Sequence, residues 1–412
     1  MADGPYTLAY SVPSQEVVLQ ANPNFASPGS WYLKPSIKTV VLQYIPEEST
    51  AYLELKSNYS QSSTIPTSSW NQVQQLEQAG IIQTPIQFPT LDIFWYNYNA
   101  NINTTMLHGQ VSQANLPSTF FDSLNVRKAF AYAYNYNYYL NQQVGNAIYG
   151  VNFSQNYAGM LPQGMLGYMS INDLNKTTGN NVPYFNMTLA GDYWNSFVNG
   201  PMAKAMGIST SSQYNSKALN IPIFIFSADP VDLAGATTWG QNLQKIIPGL
   251  QFEVVPTPFP TLLGNQVQGQ NPMPVYTLGW APDYPYPTDY LGPMAYPSNS
   301  TTYPGPNSMT PYWFNGDSNN PLMGQTSMKN QANNLTDMVN LYLNASAHPA
   351  TAVGYYQQMN SMLVNMTFYV YFEQQNGFVI INKAFNPTLL KEYQTNIMTS
   401  GAGFTYNMLA YN

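Results

Sequence analysis

The segment Gly279-Trp280-Ala281-Pro282-Asp283-Tyr284-Pro285-Tyr286-Pro287 sets one carboxylate between aromatic and proline residues, directly after the apolar run from Val275 to Leu278. Pro282, Pro285 and Pro287 fix backbone φ and withhold amide donors, which stiffens the segment. Trp280, Tyr284 and Tyr286 offer flat faces with polar tips. A rim of this kind suits capture of a cationic or polyhydroxylated ligand, with Trp280, Asp283, Tyr284 and Tyr286 as the candidate contacts. The competing reading is a proline-rich surface loop in which Asp283 only caps the turn from Tyr284 to Pro287.

Other chemistries find little material. There is no Cys, so thiol nucleophiles, disulfides and Cys-ligated metals are excluded. His108 and His348 are the two imidazoles, far apart and without metal-ligand spacing, and no metal, cofactor or His-based triad is expected. Charged residues make up 8% of the 412 residues, and the net charge is −7 with a single arginine, Arg127. No basic stripe exists to neutralise phosphates, so nucleic-acid binding is not expected. An arginine inside an apolar helix face needs a partner, and a buried ion pair near its helix start is the expected role of Arg127.

The polar, weakly ionic composition suits an extracellular surface, and an acidic exterior would leave 12 Lys plus Arg and two His as the positive load. Nine Asn-x-Ser/Thr sequons, at Asn58, Asn103, Asn152, Asn175, Asn186, Asn299, Asn334, Asn344 and Asn365, are candidate glycosylation sites. In a chain so rich in Asn, Ser and Thr many of these arise by chance. No apolar run is long enough to span a bilayer, and no leader is visible.

The elements that would position the rim alternate between strand and helix. Strands are expected at residues 38–44, 91–96, 221–226, 251–255, 367–372 and 378–381. Helices are expected at residues 47–57, 69–79, 125–134 and 351–364, with a further helix capped by Asn135 and ended by Gly145. Asp229-Pro230-Val231-Asp232 is a helix start, with Asp229 as N-cap, Pro230 at the first helical position and Asp232 in the first turn. A strand, helix and strand over residues 221–256 predicts parallel pairing with a right-handed crossover. Residues 296–333 read as a long irregular connection.

Four ordered anchors resemble the extracellular solute-binding proteins of family 5, the oligopeptide- and dipeptide-binding proteins of ABC transporters. They are Gly4-Pro5-Tyr6 with Asn22-Pro23-Asn24, the helix from Asn125 to Asn135, the segment from Gly279 through Leu291, and the helix and strand return over residues 350–381. Asn135 stands where the family usually has Asp, and Tyr286 where many members have a second acid. The resemblance implies an α/β, two-lobed, periplasmic-binding-protein-like fold of type II, a Venus flytrap. One lobe would comprise residues 1–122 plus 370–412, and the other, carrying Trp280 and Asp283, residues 123–369. Ligand would bias an open and closed equilibrium between the lobes, and the family's N-terminal part would be missing from this chain. It further implies a binding protein rather than an enzyme, located at the cell surface, with a membrane ABC permease and the missing N-terminal segment as partners. Asp283 matches the acid that holds a peptide's α-amino group, with Trp280 and Tyr284 lining the pocket. A carboxylate in that role would release an amine ligand as it takes up a proton in acid.

Aromatic content also leaves oligosaccharide capture open, since sugar faces stack on Trp and Tyr. Two further readings compete: a secreted glycoside hydrolase using two of the 19 carboxylates, and a structural cell-surface glycoprotein.

Overall fold

The computed structural model describes residues 4–27, 29, 33–208, 219–227, 229–266, 270–295 and 320–386. The chain divides into two compact units. The first comprises residues 1–90, 145–153 and 375–412, and the second residues 91–144 and 154–374.

The first unit contains a three-stranded antiparallel sheet of β1 (Tyr6–Val12), β2 (Glu16–Ala21) and β3 (Thr39–Gln43). Two helices follow, α1 (Glu48–Lys56) and α2 (Trp70–Gln78). Trp70, Val73 and Leu76 recur at helical spacing and are buried, and Gly80, at φ +68°, turns the chain away after α2. Ile86, Phe88, Val379, Ile381 and Phe385 form a core cluster in this unit.

The larger sheet has six strands, in the order β5, β9, β4, β8, β6, β7. These are β4 (Ile86–Tyr98), β5 (Ser154–Gln155), β6 (Asn220–Phe226), β7 (Gln251–Thr257), β8 (Val275–Trp280) and β9 (Tyr369–Val379). Strand β6 runs parallel to β7 and to β8, whereas β8 is antiparallel to β4. The expected strand, helix and strand unit is present: helix α5 (Pro230–Ile246) links β6 to β7, and the Asp229 side chain accepts the N–H groups of Val231 and Asp232.

Helix α3 (Leu124–Ala133) is buried along almost its whole length, and α4 (Met187–Val198) packs on it. Trp239 of α5 is buried and donates its indole N–H to the Phe130 carbonyl at 2.8 Å, tying α5 to α3. Asn135 caps the next turn by accepting the Tyr138 N–H at 3.1 Å, and residues Tyr139–Gln143 then form a π-helical turn.

Three expectations change. The irregular connection over 296–333 gives way at its end to a 22-residue helix, α7 (Thr326–Ala347), whose buried Met328, Ala332, Leu335 and Met338 outweigh its Asn- and Thr-rich composition. Residues 296–319 of that connection lie outside the described residues. The two strands expected at 367–372 and 378–381 are one, β9, because hydrogen-bonded pairing continues through the polar stretch from Glu373 to Asn376. Gly377 makes this possible: a Cβ there would collide with the Phe88 ring. The strand expected at 91–96 begins earlier, at Ile86. Helix α8 (Ala352–Met366) matches its expected span, with Tyr356, Met359 and Leu363 buried.

Candidate functional site

Strand β8 delivers Trp280 at its C-terminal end, and helix α6 (Pro287–Ala295) starts seven residues later with Pro287. Between them, Tyr286 N–H donates to the Tyr284 carbonyl at 2.8 Å and Asp289 N–H donates to the Tyr286 carbonyl at 3.0 Å. The prolines leave these few amides to define the turn. Behind the rim, a Cβ on Gly279 would lie 2.5 Å from Phe94 Cε1, so the glycine lets the two strands close up. Tyr290, fully buried, donates its hydroxyl to the Leu91 carbonyl and anchors α6 to β4.

The acid that organises this segment is Asp289, which sequence reasoning did not single out. It is 6% exposed, and its Oδ2 accepts both the Trp280 indole N–H at 2.9 Å and the Asp283 backbone N–H at 3.0 Å. Burial raises its pKa, while these two donors pull it back. The only sequence signal for this role is its place in the first turn of a helix that begins with proline.

Asp283 itself is exposed, and its carboxylate makes no hydrogen bond or ion pair among the described residues. The turn-capping alternative therefore finds no bond to support it, since Asp289 receives the amide that anchors the turn. Tyr284 is 47% exposed, and its hydroxyl lies 3.2 Å from Thr288 Oγ1. Tyr286 is half-buried and meets the Tyr356 ring edge-on at 5.9 Å and 88°. Trp280 is half-buried, with its indole fixed by Asp289. The structure thus brings Trp280, Asp283, Tyr284 and Tyr286 into one braced turn with a free carboxylate.

Two aromatics missed in the sequence belong to the same end of the sheet. Phe226 ends β6 and Phe259 follows β7. They are 37% and 51% exposed and meet edge-on at 6.0 Å. In open α/β sheets ligands bind beyond the carboxyl ends of parallel strands, which is where β6, β7 and β8 place Phe226, Phe259 and Trp280.

Arg127 has a structural part, with the buried Asp122 as the nearby charge just before its helix start. Its guanidinium is fully buried and donates to the carbonyls of Phe121 (2.6 Å), Asp122 (3.0 Å) and Met366 (2.8 Å from Nη2) and to the Gln331 side-chain oxygen. It also lies over the Phe368 ring, 5.0 Å from its centroid. A cage of carbonyls holds the cation, and the Asp122 charge supports it. Among the described residues no group of three or more His, Asp or Glu side chains is placed to hold a metal, and no helix is long and apolar enough to cross a membrane.

Residues 2–302 match the family model described as bacterial extracellular solute-binding proteins, family 5 middle. The chain belongs to this family. Its fold is that of periplasmic solute-binding proteins of type II, as three solved structures illustrate. The periplasmic binding protein DppA from Helicobacter pylori, in complex with the peptide STSA, is 17% identical with a TM-score of 0.62, covering 99% of this chain and 62% of its own. The oligopeptide-binding protein AppA from Bacillus subtilis, in complex with a nonapeptide, is 13% identical with a TM-score of 0.63, at 99% and 66% coverage. NikZ from Campylobacter jejuni, in complex with Ni(L-His), is 14% identical with a TM-score of 0.58, at 93% and 63%. The chain therefore spans about three-fifths to two-thirds of the length of these proteins. No curated protein sequence matches the chain.

Proposed function

We propose that this family 5 member captures peptides outside the cell and presents them to a membrane ABC permease, without catalysing a reaction. The observation that carries this reading is the uncommitted Asp283 carboxylate, held on a turn whose tryptophan and backbone are fixed by Asp289. A peptide's α-ammonium is the complement of such a group, and a charge-assisted hydrogen bond there contributes on the order of 1.5–3 kcal/mol. Trp280, Tyr284 and Tyr286 supply apolar faces around it, and Phe226 and Phe259 extend the apolar surface along the sheet end. Peptides in two of the three structural neighbours favour the same ligand class. The family and a composition poor in charge support an extracellular location.

Native mass spectrometry of protein purified without denaturation tests the proposal. Retained ligand should consist of peptides with free amino termini. Retained oligosaccharide, or turnover of a bound glycan, would overturn it.

A further inference from the structure

Two carboxylates that the ligand site does not use lie inside the second unit. Asp232, in the first turn of α5, and Glu373, on β9, are each 5% exposed. The hydroxyl of Tyr139 stands between them, 2.8 Å from Glu373 Oε2 and 3.3 Å from Asp232 Oδ1, and Ser154 donates its hydroxyl to Glu373 Oε1. A phenol has one hydrogen to give. With that hydrogen on the nearer Glu373, the contact to Asp232 is attractive only when Asp232 is the donor, as a neutral carboxyl group. Ionisation of Tyr139 is no way out, because burial and the two acids push its pKa well up.

The groups facing Asp232 are Asp229 in its own cap, Glu373 from β9, Tyr139 from the π-helical turn, Tyr134 at the end of α3 and Tyr96 from β4. Asp229 and Glu373 oppose a second negative charge, a hydrogen bond from Tyr139 favours it, and Tyr134 and Tyr96 are neutral phenols. The Tyr134 hydroxyl has no hydrogen-bond partner among the described residues. Asp192 of α4 and Glu253 of β7 are exposed. The amines of Lys128 and Lys245 are engaged by Asn181 and Asn242. Burial is the first cause raising the Asp232 pKa, with Asp229 and Glu373 adding to it.

Position gives the network its meaning. Tyr139 precedes Val144, where the chain leaves the second unit, Ser154 is the residue at which it returns, and Glu373 adjoins Gln374, where it leaves again. We propose that Asp232, Tyr139, Glu373 and Ser154 form a proton-retaining clasp that ties these crossing points to the core of the second unit and weakens as pH rises. The clasp is independent of the ligand reading.

The test is the melting temperature of the full chain, wild type against Asp232→Asn, from about pH 4 to about pH 9. A folded-state pKa above the unfolded carboxylate value means that the native protein binds the extra proton, so stability falls as pH rises from the unfolded value towards the folded one. Asn keeps a donor towards Tyr139 and cannot titrate. The melting temperature of the variant relative to wild type should therefore rise by roughly 2–4 °C per pH unit across that window. A difference that is constant with pH, or that shrinks, overturns the proposal. Should the variant not fold, infrared spectra of Asp289→Asn protein at neutral pH must still show the C=O band of a protonated carboxyl group. Absence of that band would overturn the proposal equally.

Discussion

Removing the Asp289 carboxylate should loosen the whole candidate rim. Asp289→Ala deletes the one acceptor shared by the Trp280 indole and the Asp283 amide, at 2.9 and 3.0 Å. Each orphaned donor costs about 1–3 kcal/mol when buried, and less where water reaches it. Trp280 is half-buried and Asp283 exposed, so the sum belongs near the low end, about 2–3 kcal/mol. For a unit of this size that corresponds to a drop in melting temperature of roughly 4–6 °C. Asp289→Asn retains an acceptor oxygen and should lose less than half as much. Asp283→Ala, at the exposed tip, should stay within about 0.5 kcal/mol of wild type. Differential scanning calorimetry gives the ranking, and the Trp280 indole N–H resonance, assigned with Trp280→Phe, reports the broken bond. A melting point for Asp289→Ala within about 1 °C of wild type, with the indole resonance unmoved, would refute the reasoning.

Gly279→Ala would press a methyl group against Phe94, with 2.5 Å between Cβ and Cε1, and should destabilise the chain by about 1–3 kcal/mol in urea unfolding, with recovery on adding Phe94→Leu. Arg127→Lys cannot bridge the carbonyls of Phe121, Asp122 and Met366 with one ammonium, so a loss of about 3 kcal/mol is expected by the same measurement. In protein from its native source, site mapping after enzymatic deglycosylation should find glycan at the exposed Asn58, Asn152, Asn334 or Asn344 before Asn175 or Asn186, whose side chains accept the N–H groups of Val182 and Leu189.

Legibility from sequence followed the range of the interactions. Asp229-Pro230 announces α5 because capping is a contact over two or three residues, and the apolar flanks of β6 and β7 complete the unit. The Gly279 to Pro287 rim was legible as a stiff aromatic turn for the same reason. Asp289 was not, because its bonds to Trp280 and Asp283 exist only once the prolines have folded the turn back on α6. Helix α7 was hidden by composition: Asn, Gln, Ser and Thr fill its exposed side, and buried Met and Ala carry a weaker periodic signal than Leu or Ile would. The Asp232 and Glu373 clasp joins segments far apart in sequence, and the place of Asp232 in the first turn of a helix gave no hint of its burial.

The most direct test of the ligand assignment is titration calorimetry with one peptide in two forms, free and acetylated at its amino terminus, against wild type and Asp283→Asn. Wild type should prefer the free amine by about 10- to 150-fold, the equivalent of a 1.5–3 kcal/mol bond, and Asp283→Asn should abolish the preference. Equal affinity of wild type for both forms, or an undiminished preference in Asp283→Asn, would contradict the assignment.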